Sequence, residues 1–138
     1  MNSSAIYWLA LSIIDNLGPV TARRLLNIFG NPEAIFKASF TDLKSIEGIG
    51  EKRAKAIKEF EGWSEAEDII KKCNALNIKF ITQEENFYPE NLRNIPDSPL
   101  VIFVMGEPVS RDQYAISIVG SRKSTDYGRR VADKLSRE

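Results

Sequence analysis

The sequence predicts a helical domain over residues 1–76, followed by an incomplete α/β region over residues 77–138. Three observations predict this division. In the first half, apolar residues recur at helical spacing, and Gly and Pro separate short segments. After Asn77 the chain changes to short β-branched runs bounded by Pro and Gly, a pattern typical of buried strands. The last run is followed by a helical segment but by no further strand, although a parallel crossover requires one, so we expect a fragment of a longer protein.

Caps and turns divide residues 1–76 into short helical segments. Gly30 is predicted to end the second segment as the residue after its C-cap. Ser64 with Glu67 forms a capping-box pattern, which predicts the start of a helix that runs to about Leu76. We expect the segments to begin near Ser4, Pro19, Pro32, Thr41, Glu51 and Ser64.

The second region has three runs that read as strands, at residues 78–82, 100–105 and 115–119. The first alternates like a half-buried strand, and the other two are apolar enough to be fully buried. The connector over residues 83–99 contains three prolines and has room for one short helix around residues 90–93. The last segment, residues 126–138, is predicted to be helical.

Composition limits the function classes that are open to this chain. The 19 basic and 19 acidic residues cancel, so no global positive field indicates a nucleic-acid partner. Residues 111–138 nevertheless hold seven Lys and Arg against four Asp and Glu, so we expect any anion site to lie towards the C-terminus or on a local patch. The chain has no histidine, the usual general base and commonest metal ligand. We therefore predict no catalytic residue and no metal site.

A single cysteine and short apolar stretches indicate the compartment. Cys73 has no partner for an internal disulfide, which fits a reducing environment, and its helical context predicts a small buried side chain. The apolar stretch at residues 5–14 is too short to span a bilayer and has no basic segment before it. We expect a soluble, cytoplasmic protein with no membrane partner.

The stretch LKSIEGIGEKRAKAIKEF at residues 43–60 has the pattern of a helix-hairpin-helix motif, which binds DNA without sequence preference. Two short helices flank a Gly-hydrophobic-Gly turn, and small Ala54 lets them approach closely. Glycines permit the tight turn and let backbone N–H groups face a phosphate. Glu47 and Glu51 would repel a phosphate there, and an interhelical turn plugged by Ile49 is the alternative interpretation. The candidate DNA contacts in this motif are Gly48, Gly50, Lys52, Arg53 and Lys55.

The stretch LGPVTARRLL, residues 17–26, is a weaker copy of this motif about thirty residues earlier. When Gly18 is aligned with Gly48, Val20 stands where the second glycine is expected. Because such motifs often occur in pairs of one binding and one structural copy, we predict that the first copy is structural.

The stretch IVGSRKSTDYG at residues 118–128 predicts a cradle for phosphate. It lacks both the Gly-x-Gly-x-x-Gly of a dinucleotide site and the Gly-Lys-Ser/Thr of a P-loop, so we predict no cofactor and no binding of NAD or FAD. A glycine at a strand end lets the backbone approach an anion, hydroxyl groups donate to it, and a guanidinium can bind it with two hydrogen bonds. Tyr127 offers a ring for stacking or for packing under the loop. The candidate nucleic-acid contacts here are Gly120, Ser121, Arg122, Lys123 and Thr125.

Taken in order along the chain, these motifs resemble those of the DNA-processing protein A family (DprA, also called Smf). The helix-hairpin-helix pattern precedes YPENL at residues 88–92, PLVIFVMG at residues 99–106 and the IVGSRxxTxYG motif at residues 118–128. The resemblance implies that the last motif opens a Rossmann-like domain and that Gly120, Ser121 and Arg122 line a DNA phosphate pocket. It also implies a non-enzymatic mediator that binds single-stranded DNA and helps to load the RecA recombinase during natural transformation.

The same resemblance limits what this portion can do. The family continues with a Gly-Leu-Ala-Arg-Gly-Ile-Asp segment and with parts that supply its homodimer and RecA contacts, and none of these is in the 138 residues. Two alternatives remain open. Related Rossmann proteins with similar loops hydrolyse nucleoside monophosphates, although here no spaced acidic pair lies near the loop. The chain could also be a protein-interaction module.

Overall fold

The computed structural model describes residues 4–107 and 114–137, and helices form the first part of the chain. Each of the predicted helical segments is present, with corrections at three starts, and the fifth helix begins at Gly50 rather than Glu51. The fourth helix begins at Phe40 rather than Thr41, because Ser39 caps it by accepting a hydrogen bond from Asp42 N at 3.0 Å. The sixth begins after Gly62 without a side-chain cap, so the predicted capping box at Ser64 is wrong. The bounds are α1 Ser4–Ile13, α2 Pro19–Phe29, α3 Pro32–Lys37, α4 Phe40–Ser45, α5 Gly50–Lys58 and α6 Trp63–Ala75.

Local capping chemistry sets the break between α2 and α3. Gly30 has a φ of 82° and donates its N–H to Leu26 O at 2.7 Å, as predicted for a glycine that ends a helix. The Asn31 side chain then accepts a hydrogen bond from Ala34 N at 2.8 Å, and Pro32 occupies the first helical position. The chain therefore turns sharply without leaving a helix end unsatisfied.

Helix α1 lies at the centre of the helical core. Trp8, Leu9 and Leu11 are almost fully buried, and α1 packs against α2, α3 and α6. Beside this core, four aromatic rings from α1, α3, α6 and the α5–α6 connection pack with centroid separations between 4.8 and 6.0 Å. These rings are Tyr7, Phe36, Phe60 and Trp63.

The first two predicted strands are confirmed and pair with one another. Strand β1 (Ile78–Thr82) and strand β2 (Val101–Met105) are antiparallel, with Phe80 opposite Phe103. The short helix α7 (Glu90–Arg93) lies between them in the chain, as predicted. In the connection, Tyr88 is buried, and its hydroxyl hydrogen-bonds Ser98 Oγ at 2.9 Å and Pro99 O at 2.7 Å. The aromatic residue of the YPENL segment thus holds the first half of this long connection against its end.

The strand pair packs on the helices rather than forming a separate layer. Phe80 and Val101 contact the helical core clusters, and β1 packs against α6. The chain accordingly divides into two compact units, Met1–Pro108 and Val109–Glu138, whereas the change in sequence pattern predicts a boundary after Leu76. A Rossmann-like start is not confirmed, because β1 and β2 are antiparallel and a Rossmann crossover requires parallel strands.

The second unit contains one regular element, α8 (Asp126–Arg137), in its described part, residues 114–137. The predicted strand at residues 115–119 is wrong: these residues have no regular secondary structure and pair with no strand of the described part of the chain, and a strand needs a neighbour to satisfy its backbone groups. Helix α8 is confirmed, and Thr125 caps it by accepting a hydrogen bond from Gly128 N at 3.1 Å. No helix within residues 4–107 or 114–137 is long and apolar enough to cross a membrane.

Candidate nucleic-acid interface

The hairpin between α4 and α5 has the backbone geometry that the helix-hairpin-helix pattern predicts. Gly48 and Gly50 have φ values of 84° and 56°, in the left-handed region that favours glycine. Between them, Ile49 is only 2% exposed and plugs the helical core. Ala54 is fully buried at the helix contact. The buried Ile49 side chain therefore holds the turn against the helical core. The first N–H groups of α5 have no partners within the helix, so they can face an anion.

The hairpin between α1 and α2 is a second copy, in a different register from the one predicted. Asn16 has a φ of 63° and therefore matches Gly48, so the alignment of Gly18 with Gly48 is wrong by two residues. In the corrected register Asn16-Leu17-Gly18 matches Gly48-Ile49-Gly50, and Leu17 is buried as Ile49 is. Asn is among the few non-glycine residues that tolerate the left-handed region, which explains the substitution.

The residues that follow each turn support this register. Ala22 lies four residues after Gly18, just as Ala54 lies four residues after Gly50, and both are fully buried. Under the predicted alignment Val20 would take the place of the second glycine, yet its side chain is 53% exposed at the start of α2. Both hairpins therefore have a buried hydrophobic residue in the turn and a buried alanine four residues after the glycine that follows it. The sequence signal for the first hairpin is an Asn-hydrophobic-Gly turn whose glycine lies four residues before an alanine.

Two arginines join the hairpins by reaching across to each other's turns. Arg24 of α2 donates from Nη1 to Glu47 O, in the second hairpin, at 2.6 Å. Arg53 of α5 donates from Nε to Asn16 O, in the first hairpin, at 2.9 Å, and from Nη1 to Gly48 O. Arg53, a predicted DNA contact, is thus partly engaged in holding the two turns together. Arg24 was not a candidate from the sequence, because its partner carbonyl is 23 residues away.

The lysines of the second hairpin differ in how far their charge is compensated. Lys52 is exposed and has no hydrogen bond or ion pair with the described residues. Lys55 lies 3.8 Å from the Glu59 carboxylate. Glu51, which would repel a phosphate, is paired with Lys44 at 3.1 Å, so part of that repulsion is neutralised. Of these candidates, Lys52 has the charge most available to a DNA backbone.

The first hairpin has fewer charges around its turn. No acidic side chain lies in the first turn of α2, whereas Glu51 lies in the first turn of α5. The helix N-terminus carries a partial positive charge from its aligned peptide dipoles, and no carboxylate lies within the first turn of α2, although Asp15 precedes the hairpin turn as Glu47 precedes Gly48. The first hairpin therefore shares the left-handed first position and the buried second position of its partner, while Gly18 has a φ of −71° where Gly50 has 56°. It has one repulsive group fewer, although the sequence predicts a purely structural role for it.

The Gly-Ser-Arg loop lies in the second unit, and its predicted contacts are all exposed. The Ser121 hydroxyl donates to Lys123 O at 2.7 Å, and Thr125 Oγ1 caps α8, so both hydroxyl groups already have local roles. The Arg122 and Lys123 side chains have no ion pair within residues 114–137. At Gly120 neither a positive φ nor a neighbour within 4 Å requires glycine. Two uncompensated cations therefore follow a backbone segment that nothing within this unit obstructs.

Replacing Gly48 with Ala is expected to lower the free energy of unfolding by about 1–2 kcal/mol, the cost of a left-handed conformation for a residue with a Cβ. A Cβ at this position would also lie 2.9 Å from Arg24 Nη1 and displace the guanidinium from Glu47 O. Urea denaturation measures the change. Asn16→Gly is the matched control, since the same turn position tolerates glycine, and it should change stability by less than about 0.5 kcal/mol. Equal losses in the two variants would show that the turn does not depend on backbone freedom.

Comparison with known proteins finds two profiles that match successive parts of the chain, and the one that matches the later part begins within the first compact unit. The family profile for DNA recombination-mediator protein A matches residues 79–138, and a profile for a SAM-like helix-hairpin-helix tandem matches residues 9–60. The second match includes both hairpins.

Individual relatives show similarity of different extent. Protein Smf of Synechocystis sp. is 32% identical over 98% of this chain, and the chain spans 35% of the length of that relative. A DNA ligase of Petrotoga mobilis is 39% identical over 52% of this chain, which corresponds to 11% of the ligase. No solved structure shows significant similarity. The match to Protein Smf runs through nearly the whole chain and the profile for DNA recombination-mediator protein A covers its second part, so the chain is similar to this family along most of its length.

Proposed function

We propose that this chain is the single-stranded-DNA-binding portion of a recombination mediator. The observation that carries the proposal is the pair of uncompensated cations, Arg122 and Lys123, in an exposed loop within the segment that matches the family profile. A guanidinium beside open backbone is suited to bidentate binding of a phosphate. Such contacts hold a DNA backbone without reading its sequence, as a mediator that must act on any strand requires.

The tandem hairpins support the same substrate. Each presents the N-terminus of a helix at a turn whose first residue is in the left-handed conformation, and two arginines hold the turns together. Backbone N–H groups at such termini bind phosphate. In this proposal the two hairpins form one contact of the first unit with DNA, and the Gly-Ser-Arg loop forms a contact of the second unit.

The role in the cell follows from the family. We propose that the parent protein assists RecA loading on single-stranded DNA during natural transformation, and that it acts as a cytoplasmic homodimer. We propose no enzymatic activity. The similarity to a DNA ligase covers 11% of that enzyme, so it supports a shared DNA-contacting module and carries no ligation chemistry to this chain.

Arg122→Ala is expected to weaken binding of a single-stranded oligonucleotide by about 1–3 kcal/mol, the range for hydrogen bonds to a charged group. The loss should be the same for different base sequences, and the slope of log K against log salt should fall by roughly 0.7 for each lost phosphate contact. Lys52→Ala should cost less, because Glu47 and Glu51 flank that hairpin. Fluorescence anisotropy at two salt concentrations measures both effects.

The control is Lys71→Ala, which removes one positive charge from an exposed ion pair with Glu67 and Asp68 on α6 and should leave binding unchanged. If Lys71→Ala weakens binding as much as Arg122→Ala, only net charge matters and the proposed site is wrong. If Lys52→Ala costs more than Arg122→Ala, the principal DNA site lies in the hairpins. The absence of saturable binding by the unmodified chain would refute the proposed function for this portion.

A further inference from the structure

The first unit contains a cavity whose lining includes no residue of either hairpin turn. It has a volume of about 380 Å³ and lies among α1, α2, the segment after β1 and the end of α7. Ligand pockets for small molecules have volumes of about 300–1,000 Å³, so this cavity is large enough for one nucleotide-sized group. Its lining combines two guanidinium groups, one carboxylate, two amides and an indole, from Arg23, Arg93, Glu84, Asn27, Gln83 and Trp8.

The two arginines are held in place without losing their charge. Arg23 donates from Nη1 to Ile95 O at 3.4 Å, and Arg93 donates from Nη2 to Glu85 O at 2.8 Å. The Arg93 guanidinium also lies over the Tyr88 ring, 5.6 Å from its centroid. Neither arginine forms an ion pair with a carboxylate of the described residues. Since each guanidinium has five N–H donors, most of them remain available to an anion in the cavity.

The other polar groups indicate what accompanies the anion. Glu84 has no hydrogen bond or ion pair with the described residues, so its carboxylate can accept hydrogen bonds from a ligand. Gln83 donates from Nε2 to Ser98 O and Ser98 Oγ, both at 2.9 Å, which leaves its oxygen as a second acceptor. Two cations and one carboxylate give the lining a net charge of +1. The complementary ligand therefore carries one negative charge together with N–H donors.

We propose that this cavity binds one nucleotide unit of single-stranded DNA, with its phosphodiester group between Arg23 and Arg93 and its base edge against Glu84 and Gln83. A phosphodiester carries a single negative charge, and unpaired bases offer N–H donors that duplex DNA uses for pairing. The proposal rests on the proposed function, because it takes single-stranded DNA as the source of the nucleotide. A free nucleoside monophosphate offers the same base edge together with a phosphate group, which carries up to about two negative charges near neutral pH, so the experiment must separate the two sources.

The test is a nuclear magnetic resonance titration of the full chain with three probes: a single-stranded pentadeoxynucleotide, deoxyadenosine monophosphate and inorganic phosphate. The reporter is the indole N–H of Trp8, which lines the cavity, and the internal reference is that of Trp63, which packs in the aromatic cluster away from it. The pentadeoxynucleotide should shift the Trp8 signal saturably and leave the Trp63 signal unchanged. It should saturate at a lower concentration than deoxyadenosine monophosphate.

Substitutions in the lining should act in opposite directions on different probes. Arg23→Gln and Arg93→Gln should each weaken pentadeoxynucleotide binding at the Trp8 signal by about tenfold, as for loss of a charge-assisted hydrogen bond. Glu84→Gln should weaken pentadeoxynucleotide binding but strengthen inorganic phosphate binding, because it removes both a hydrogen-bond acceptor and a repulsive charge. Lys71→Gln is the control for the two arginine variants, because it removes the same positive charge from α6, outside the cavity, and it should leave binding at the Trp8 signal unchanged.

The outcomes separate this proposal from the proposed function. If no probe shifts the Trp8 signal while anisotropy still detects DNA binding, the cavity proposal is wrong and the proposed function stands. If only deoxyadenosine monophosphate shifts it, single-stranded DNA is not the source and the proposal is likewise wrong. If DNA binding is absent by anisotropy and at Trp8, both fail. Should an arginine variant not fold, the titration of the unmodified chain still decides.

Discussion

Replacing Ile57 with Ala is expected to lower the free energy of unfolding by about 2–5 kcal/mol. Ile57 lies on α5, is 1% exposed and belongs to the core cluster that Trp8 and Leu11 of α1 also form. Truncating it removes buried methyl groups and leaves a cavity that a close-packed interior fills only in part. Leu25→Ala should cost a similar amount, because in the corrected register Leu25 occupies the same position in the first hairpin and is fully buried.

Urea denaturation followed by circular dichroism measures both losses. Ile28→Ala is the matched control, since Ile28 is also on α2 but is 55% exposed, and its truncation should cost less than about 1 kcal/mol. A loss below about 1 kcal/mol for Ile57→Ala would contradict a core shared by the two hairpins. A large loss for Leu25→Ala combined with a small one for Ile57→Ala would mean that the second hairpin folds independently of the first.

The double variant Val20→Glu with Lys52→Glu is expected to weaken DNA binding by roughly 10- to 100-fold without unfolding the protein. Both positions are exposed in the first turns of α2 and α5, where a carboxylate interacts favourably with the helix dipole. The same carboxylates repel a phosphate bound at the hairpins, by about 1 kcal/mol each at 4 Å in water and more where water is excluded. Helix stability and DNA affinity therefore change in opposite directions.

Anisotropy with a single-stranded oligonucleotide measures the affinity, and thermal unfolding measures the stability. The control is Lys72→Glu with Leu76→Glu, which makes the same change in net charge at exposed positions of α6 and its C-cap. An equal loss of affinity in the control would assign the effect to long-range charge. If the hairpin variant binds as tightly as the unmodified chain, the hairpins do not contact DNA and the Gly-Ser-Arg loop alone remains as the candidate site.

Much of the candidate site could be predicted because its signals are local. Adjoining residues specify the Gly48-Ile49-Gly50 turn. Glycine has no Cβ, so it adopts the left-handed conformation that the turn requires without a steric penalty. The first hairpin was harder, because Asn16 provides the same conformation with a different residue type. An alignment that pairs the first glycine of each hairpin places the first hairpin two residues away from the register that the structure shows. Only the backbone conformation together with the burial of Leu17 and Ala22 corrects it.

The sequence by itself determined most of the helices, the turn of the second hairpin, the positions of strands β1 and β2 and the order of motifs that resembles the family. These features depend on hydrophobic periodicity and on residues within a few positions of one another. The tertiary structure alone decided that the strands join the helical unit. It also decided that Arg53 binds a carbonyl 37 residues away and that Arg23 and Arg93 line one cavity. Such contacts depend on how helices pack, and helix packing brings together side chains whose separation along the chain carries no local signal.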